Sequence, residues 1–280
     1  MPRRSTALAA IVLAASTAAC ATLRPAPPDD VAAPRGLLVA AGGGTIGADV
    51  RARVLALSGG PDAVVLVVPQ ASAAADAGEA ARDDWRLAGA RTVETLDVRD
   101  RERAEAAIER ATLIWMTGGD QVRLVRALEE AGVAAAIRRR HEAGATVGGT
   151  SAGAAALSKA MIAGDADLDR IAAGRTRIAP GLGLWPEAIV DQHLLRRGRL
   201  PRLIAAVLDR PRDHVGVGVD EGTAAIVHPD GTLEVVGESA VVVVDARGAA
   251  VEARAAGLPA AATGVRLHLL TAGMRFRPPR

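Results

Sequence analysis

From Gly36 onward, short apolar runs alternate with longer stretches whose apolar positions recur at helical spacing. GLLVAA at 36–41, AVVLVVP at 63–69, RTVETLDV, TLIWMTGGD and ATVGGT read as strands, while RERAEAAIERA and QVRLVRALEEA between them read as helices. Strands separated by helices of this length predict a three-layer α/β fold, with a mostly parallel central sheet and helices on both faces. Beyond about residue 214 the texture changes. VGVGVD, TAAIVH, TLEVVG and AVVVVD are short strands joined by DEG, PDG and GES, which predicts an antiparallel C-terminal extension at the sheet edge. With no internal repeat and no obvious linker, residues 36–280 read as one domain.

Composition narrows the class. Half of the 280 residues are hydrophobic, enough for a sizeable core, yet there is one Phe and no Tyr, so that core must be aliphatic. Lys159 is the only lysine, the formal net charge is +2, and there is neither a basic block nor an aromatic stacking platform. Nucleic-acid binding is disfavoured. The start of the chain belongs to export, not to the fold. A basic MPRR precedes the apolar TALAAIVLAASTAA, which is too short to span a bilayer as a helix and ends at Cys20, the only cysteine. Residues 1–20 read as a signal peptide of lipoprotein type, with Cys20 lipidated and first in the mature chain, although Thr17 replaces the usual Leu or Val. Residues 21–35 then form a Pro-rich tether. The expected location is the cell envelope, on the periplasmic or outer-surface side and held only by the lipid, or outside the cell by secretion if Cys20 is not lipidated. With its only cysteine lipidated or removed, the mature chain has no disulfide and no thiol nucleophile.

Ligands of an open parallel sheet sit beyond the carboxyl ends of its strands, where three glycine-rich segments compete: AAGGGTIG, MTGGDQ and VGGTSAG. The first matches G-x-G-x-x-G at Gly42, Gly44 and Gly47, but the next strand ends in Pro69-Gln70 where a dinucleotide fold needs an acid. The third contains Gly149-Thr150-Ser151-Ala152-Gly153, a G-x-S-x-G between a strand and a helix former. That is the setting of a nucleophile elbow, a turn too tight for side chains that leaves the serine hydroxyl exposed. The competing reading is a glycine turn with an incidental serine. A serine needs a base, and among His141, His193, His214, His228 and His268 one stands out. His193 lies in IVDQHLLRRGRLPRL, where an apolar strand breaks into Asp191-Gln192-His193 and then four arginines without evident partners. A solvated basic turn is the bland alternative. His141, in RRRHEAG at a helix end, reads as solvated.

Together, TGGDQ, GTSAGA, VDQH followed by R-x-R-x-x-R-L, and GVGVDEGTA resemble the cyanophycinases, in the serine peptidase family S51 that also contains the aspartyl dipeptidases. The resemblance covers nearly all of residues 36 to 245. It implies a class I glutamine amidotransferase-like (flavodoxin-like) fold, a homodimer, no metal or cofactor, and hydrolysis of β-linked aspartyl-arginine polymer to β-Asp-Arg dipeptides. Carried over by position, Ser151 is the nucleophile and His193 the base. Asp169 stands where the family is expected to have its triad acid, with Glu221 the alternative acid or a pocket residue. Gly119 and Ala152 would supply oxyanion N–H groups. Gln121, Asp191, Gln192, Arg197, Arg199 and Arg202 match the substrate pocket, and arginine forks suit a substrate rich in carboxylates. Two alternatives stay open: an aspartyl or isoaspartyl dipeptidase of the same group, and a non-catalytic envelope binding protein that keeps the fold.

Overall fold

The computed structural model describes residues 36–164, 168–212 and 214–278. The alternation predicted from apolar spacing is present: β1 (Leu38–Ala41), α1 (Ala48–Leu57), β2 (Val64–Val68), α2 (Ala77–Leu87), β3 (Thr92–Thr95), α3 (Arg101–Arg110), β4 (Leu113–Met116), α4 (Gln121–Glu130), α5 (Ala134–Glu142) and β5 (Thr146–Thr150). A short α6 (Ala152–Ala155), the pair β6 (Ala160–Ile162) and β7 (Ile178–Pro180), β8 (Ala188–Gln192), α7 (Leu200–Leu208) and β9 (Val215–Val219) follow. The chain then runs through β10 (Thr223–Val227), β11 (Leu233–Gly237), β12 (Ala240–Asp245), β13 (Ala250–Glu252), β14 (Ala261–Thr263), β15 (Arg266–Thr271) and β16 (Arg275–Phe276).

The main sheet has the order β16-β11-β10-β1-β5-β4-β2-β3. Strands β1 to β5 are mutually parallel, and β10, β11 and β16 add antiparallel at one edge. Both faces are buried, so the parallel strands read as continuous apolar runs. Val39, Val65, Val67, Leu113 and Trp115 meet Val50 and Val54 of α1 and Trp85 of α2. Leu38, Leu66, Ile114 and Met116 meet Ile108, Leu124, Leu128 and Ile137 of α3, α4 and α5. Among the described residues no helix is long and apolar enough to cross a membrane.

The C-terminal strands differ from the expected single extension. Only β10, β11 and β16 extend the main sheet, whereas β12 and β15 join a second sheet, β15-β12-β9-β8, in which β8 and β9 are parallel. The VGVGV of β9 explains the split. Its valines enter the same core as the main sheet, while a Cβ on Gly216 would lie 2.7 Å from Val207 of α7 and one on Gly218 would lie 2.5 Å from Leu194. The strand therefore needs glycine on one face to let α7 and the β8–α7 turn lie against it.

Candidate active site

The carboxyl ends of β1, β4, β5, β8 and β9 converge at one place. At the end of β5, a Cβ on Gly149 would stand 2.7 Å from the Gly153 carbonyl carbon, and one on Gly153 would stand 2.4 Å from the Met116 oxygen. The turn closes only because side chains are absent, which is why small residues surround Ser151. Ser151 itself has φ 53°, and the only other non-glycine residue with positive φ among those described is His193, at 50°. Such conformations cost about 1–3 kcal/mol each and persist only where the surroundings enforce them.

Those two residues meet. The Ser151 Oγ lies 2.9 Å from Nε2 of His193, and Nδ1 of the same ring lies 2.5 Å from Oε1 of Glu221. A carboxylate only accepts, so Nδ1 carries the proton and Nε2 is left to receive that of the serine hydroxyl. Burial pushes the His193 pKa below its ordinary value; the Glu221 bond works in the other direction, and the charges of Arg197 and Arg199 add to the lowering. The ring is therefore a neutral base at neutral pH.

Asp169, the first choice for the partner of His193, is replaced in that position by Glu221. Asp169 is exposed in the segment between β6 and β7, and the residues just after it pair elsewhere: Ala173 N–H donates to the Leu258 carbonyl and Ala260 N–H to that of Ile171. Closeness to the elbow in sequence does not survive the excursion through β6. The neighbouring Asp165 and Asp167 lie outside the described residues.

Two features of the site were not expected. The first is the GGG after β1, which had suggested a weak dinucleotide fingerprint. A Cβ on Gly43 would fall 2.3 Å from Cε1 of His193, and one on Gly44 would fall 2.9 Å from the Glu221 carboxylate. The glycines form a floor under the imidazole and its acid. The second is Asp220, whose carboxylate accepts the N–H groups of Leu195 (3.0 Å) and Arg196 (2.9 Å) and the Ser239 hydroxyl (2.8 Å). Burial opposes its charge, but these donors outweigh burial and hold its pKa below the ordinary value, so Asp220 fixes the turn that follows His193. The acid at the end of the VGVGVD strand was the available signal.

Ser151 opens into a cleft of about 370 Å³, also lined by Gly119, Gln121, Gln192, Arg197, Arg199 and Arg202. The arginines are not uniformly free, as the sequence had suggested. Arg202 is buried and its fork grips the equally buried Asp191 at 2.8 and 2.5 Å, so these two neutralise each other within the wall. Arg199 donates to the carbonyl (3.0 Å) and Oε1 (2.6 Å) of Gln192. Gln121 is tied to the Ile162 carbonyl at 2.8 Å. Arg197 is exposed. Arg177, which no motif marked, also lines the cleft. Gly119 adopts φ +141°, and a Cβ there would lie 2.2 Å from the Ala71 carbonyl oxygen. The Ala152 N–H, first in α6, has no partner within the helix. His141, read as solvated, is instead buried at 2% exposure with Nδ1 3.2 Å from the Ala145 carbonyl oxygen, because the chain turns back over it after α5.

A second cavity of about 310 Å³ contains Asp49, Arg53, Glu234 and Arg275. There Glu234 accepts from Arg53, Arg275 and His228, and these bonds, Arg53 first, bring its pKa to about 2 against the cost of burial. Its charges are spent on joining α1, β11 and β16, and it holds no candidate nucleophile. The cleft at Ser151 is the candidate site.

The sequence matches peptidase family S51 over residues 37–235. The chain belongs to that family. It is a serine-type peptidase, a hydrolase. This S51 peptidase is 39% identical over 252 residues to a cyanophycinase of Synechococcus elongatus, covering 85% of this chain and 78% of that one. It is 37% identical over 240 residues to the cyanophycinase of Geminocystis herdmanii, with 82% and 88% covered. The fold resembles that of a peptidase from an acI-B1 Actinobacterium, with a TM-score of 0.62 at 21% identity over 88% of this chain and 98% of the other.

Proposed function

We propose that this S51 peptidase is an exported, cyanophycinase-like enzyme that hydrolyses β-aspartyl-arginine polymer or peptides to β-Asp-Arg dipeptides through an acyl-enzyme on Ser151. The observation that carries this reading is the unbroken run from Ser151 Oγ to His193 to Glu221 at the floor of an arginine-lined cleft. Similarity to cyanophycinases over most of the chain supports the substrate class.

In this mechanism His193 Nε2 takes the hydroxyl proton as Ser151 attacks the scissile backbone carbonyl, and Glu221 stabilises the imidazolium that forms. The N–H groups of Gly119 and Ala152 receive the oxyanion. Collapse breaks the C–N bond, and the proton held by His193 goes to the departing amine. Water, deprotonated by the same ring, then attacks the ester and releases the carboxylate product with Ser151 restored. Exposed Arg197 and the cleft face of Arg199 attract the free carboxylate that each arginine unit of the polymer carries. Asp191 and Arg202 act together as the back wall, and Gln121 and Gln192 orient the chain.

The N-terminal assignment belongs to the same proposal: signal peptide at 1–20, lipid on Cys20, tether at 21–35 and catalytic domain at 36–280. Residues 1–35 lie outside the described residues, and the reading rests on their sequence alone. A homodimer is proposed by resemblance to the family. The test is incubation of residues 21–280 with cyanophycin and identification of products by mass. Release of β-Asp-Arg by the wild type, and a loss of several orders of magnitude in Ser151→Ala at unchanged folding, are expected. An inactive wild type that still labels with a serine reagent would move the substrate to another aspartyl peptide, and full activity in the alanine variant would remove the serine mechanism.

A further inference from the structure

The arginines after His193 reach the cleft from one wall, the turn between β8 and α7. Arg177 comes from another. It stands immediately before β7, and its carbonyl accepts the Ala163 N–H at 2.9 Å, which places it beside the end of β6. Its side chain is exposed, and it lines the cleft together with Ser151 and Arg197.

The charge balance of the cleft singles out these two. Arg202 is neutralised by Asp191, and Arg199 is bonded to Gln192. Arg177 and Arg197 have no ion pair among the described residues. Among the described residues the only carboxylate lining the cleft is that of Asp120, which accepts the Arg123 N–H at 2.8 Å and so caps α4. The open volume is thus left with a positive excess contributed from two walls. A lone carboxylate pairs well with one guanidinium fork, so two forks on separate elements suit two anionic groups. A β-aspartyl-arginine chain supplies one free carboxylate on every unit.

We infer that Arg177 is a specificity-determining residue that binds a second substrate carboxylate, one unit away from the carboxylate held by Arg197. The site would then favour oligomers over a single aspartyl-arginine unit. The inference rests on the proposed substrate class. A contact made equally in ground and transition states changes KM and not kcat.

The test uses a trimer of β-Asp-Arg and two forms of it, each with one arginine carboxylate amidated at a different unit. Wild-type enzyme is measured first, then Arg177→Gln, Arg177→Lys and Arg197→Gln, with thermal melting to confirm folding. Arg177→Gln is expected to raise KM for the free trimer about tenfold with kcat retained, the scale of one charge-assisted contact. Lysine should restore part of that. Amidation at one unit should weaken the wild type similarly and leave Arg177→Gln almost unaffected, while amidation at the other unit should show the same relation to Arg197→Gln. A wild type that cleaves the trimer and an Arg177→Gln that matches it would make Arg177 a solvated arginine and overturn the inference alone. Coupling of both arginines to the same amidated unit would overturn the two-carboxylate form. A wild type inert toward every trimer would instead bring down the substrate reading, and this inference with it.

Discussion

Replacing Glu221 by glutamine separates the two candidates for the acid and has a magnitude that the geometry sets. Oε1 of Glu221 lies 2.5 Å from Nδ1 of His193, and the carboxylate is about a third exposed, at 31%. During acylation the ring becomes a cation. Two unit charges about 4 Å apart interact by about 4 kcal/mol at an effective dielectric constant of about 20, a factor of roughly 10³ in rate, and partial exposure trims that toward about 10². If the amide turns its NH₂ toward Nδ1, the loss is greater. The proton is then forced onto Nε2, where it faces Ser151 and prevents deprotonation. A comparable change of triad acid to amide in other serine peptidases costs about 10⁴ in kcat. The expected loss for Glu221→Gln therefore lies between about 10² and 10⁴ in kcat, with KM little changed. Asp169→Ala should stay within about threefold of wild type, as surface changes do. The assay is steady-state release of β-Asp-Arg, paired with the rate of Ser151 labelling by a fluorophosphonate, which reports the nucleophile without the substrate pocket. A Glu221→Gln enzyme within tenfold of wild type, or an Asp169→Ala enzyme as damaged as that predicted for Glu221→Gln, would refute the assignment.

Two further outcomes follow from the buried groups. Arg202→Met leaves Asp191 charged and unpaired at 1% exposure, which should destabilise the fold by about 3–5 kcal/mol, whereas the double change Asp191→Leu with Arg202→Met should recover most of it; chemical denaturation checks this, and a single variant as stable as wild type would show that the pair is not desolvated. The acid limb of kcat/KM should fall with an apparent pKa below 6.5, because the base works only when neutral and burial, with Arg197 and Arg199, disfavours its charge more than Glu221 favours it. Arg197→Gln removes one of the like charges and should shift that limb upward, and a wild-type limb at or above 6.5 would contradict the balance of causes.

The parallel half of the fold was legible because its strands are buried on both faces and its helices carry period-3.6 patterns. Ser151 was legible because only a turn without side chains explains so many small residues around one serine. Glu221 was harder for a topological reason. Strands β8 and β9 are parallel neighbours, with Gln192 opposite Val219, so the residues just beyond their ends, His193 on one and Asp220-Glu221 on the other, come side by side. Reading VGVGVD as part of an antiparallel edge concealed that adjacency, and the family resemblance pointed instead to Asp169, shortly after the elbow. The pairing of Asp191 in β8 with Arg202 in the first turn of α7 crosses the turn between a strand and a helix, so no period within a single element links them. Arg177 carries no motif, and only the position of β7 brings it to the cleft.

The same adjacency explains how two strained residues are held. Three successive carbonyls at the end of β1 receive amides from the three parts of the site: Ala41 from Ser151 at 3.0 Å, Gly42 from His193 at 2.8 Å, and Gly43 from Gly222, next to Glu221, at 3.1 Å. Positive φ at Ser151 and His193 costs about 2–6 kcal/mol in all. Three buried backbone bonds return about 0.5–1.5 kcal/mol each, which together is of the same order as the strain. Close packing of the glycines further confines the strand end. A Cβ on Gly42 would lie 2.0 Å from the Asp220 carbonyl oxygen, so even the smallest side chain would push β9 away from β1 and Glu221 from His193. The motif that resembles a phosphate cradle thus works in the opposite sense. A phosphate loop presents free N–H groups, whereas here the carbonyls do the binding and the Gly42 N–H is itself taken by the Thr223 carbonyl at 2.9 Å. The segment therefore aligns Ser151, His193 and Glu221 at one strand end, which accounts for a glycine-rich sequence at β1 of a chain whose Ser151 lies more than a hundred residues later.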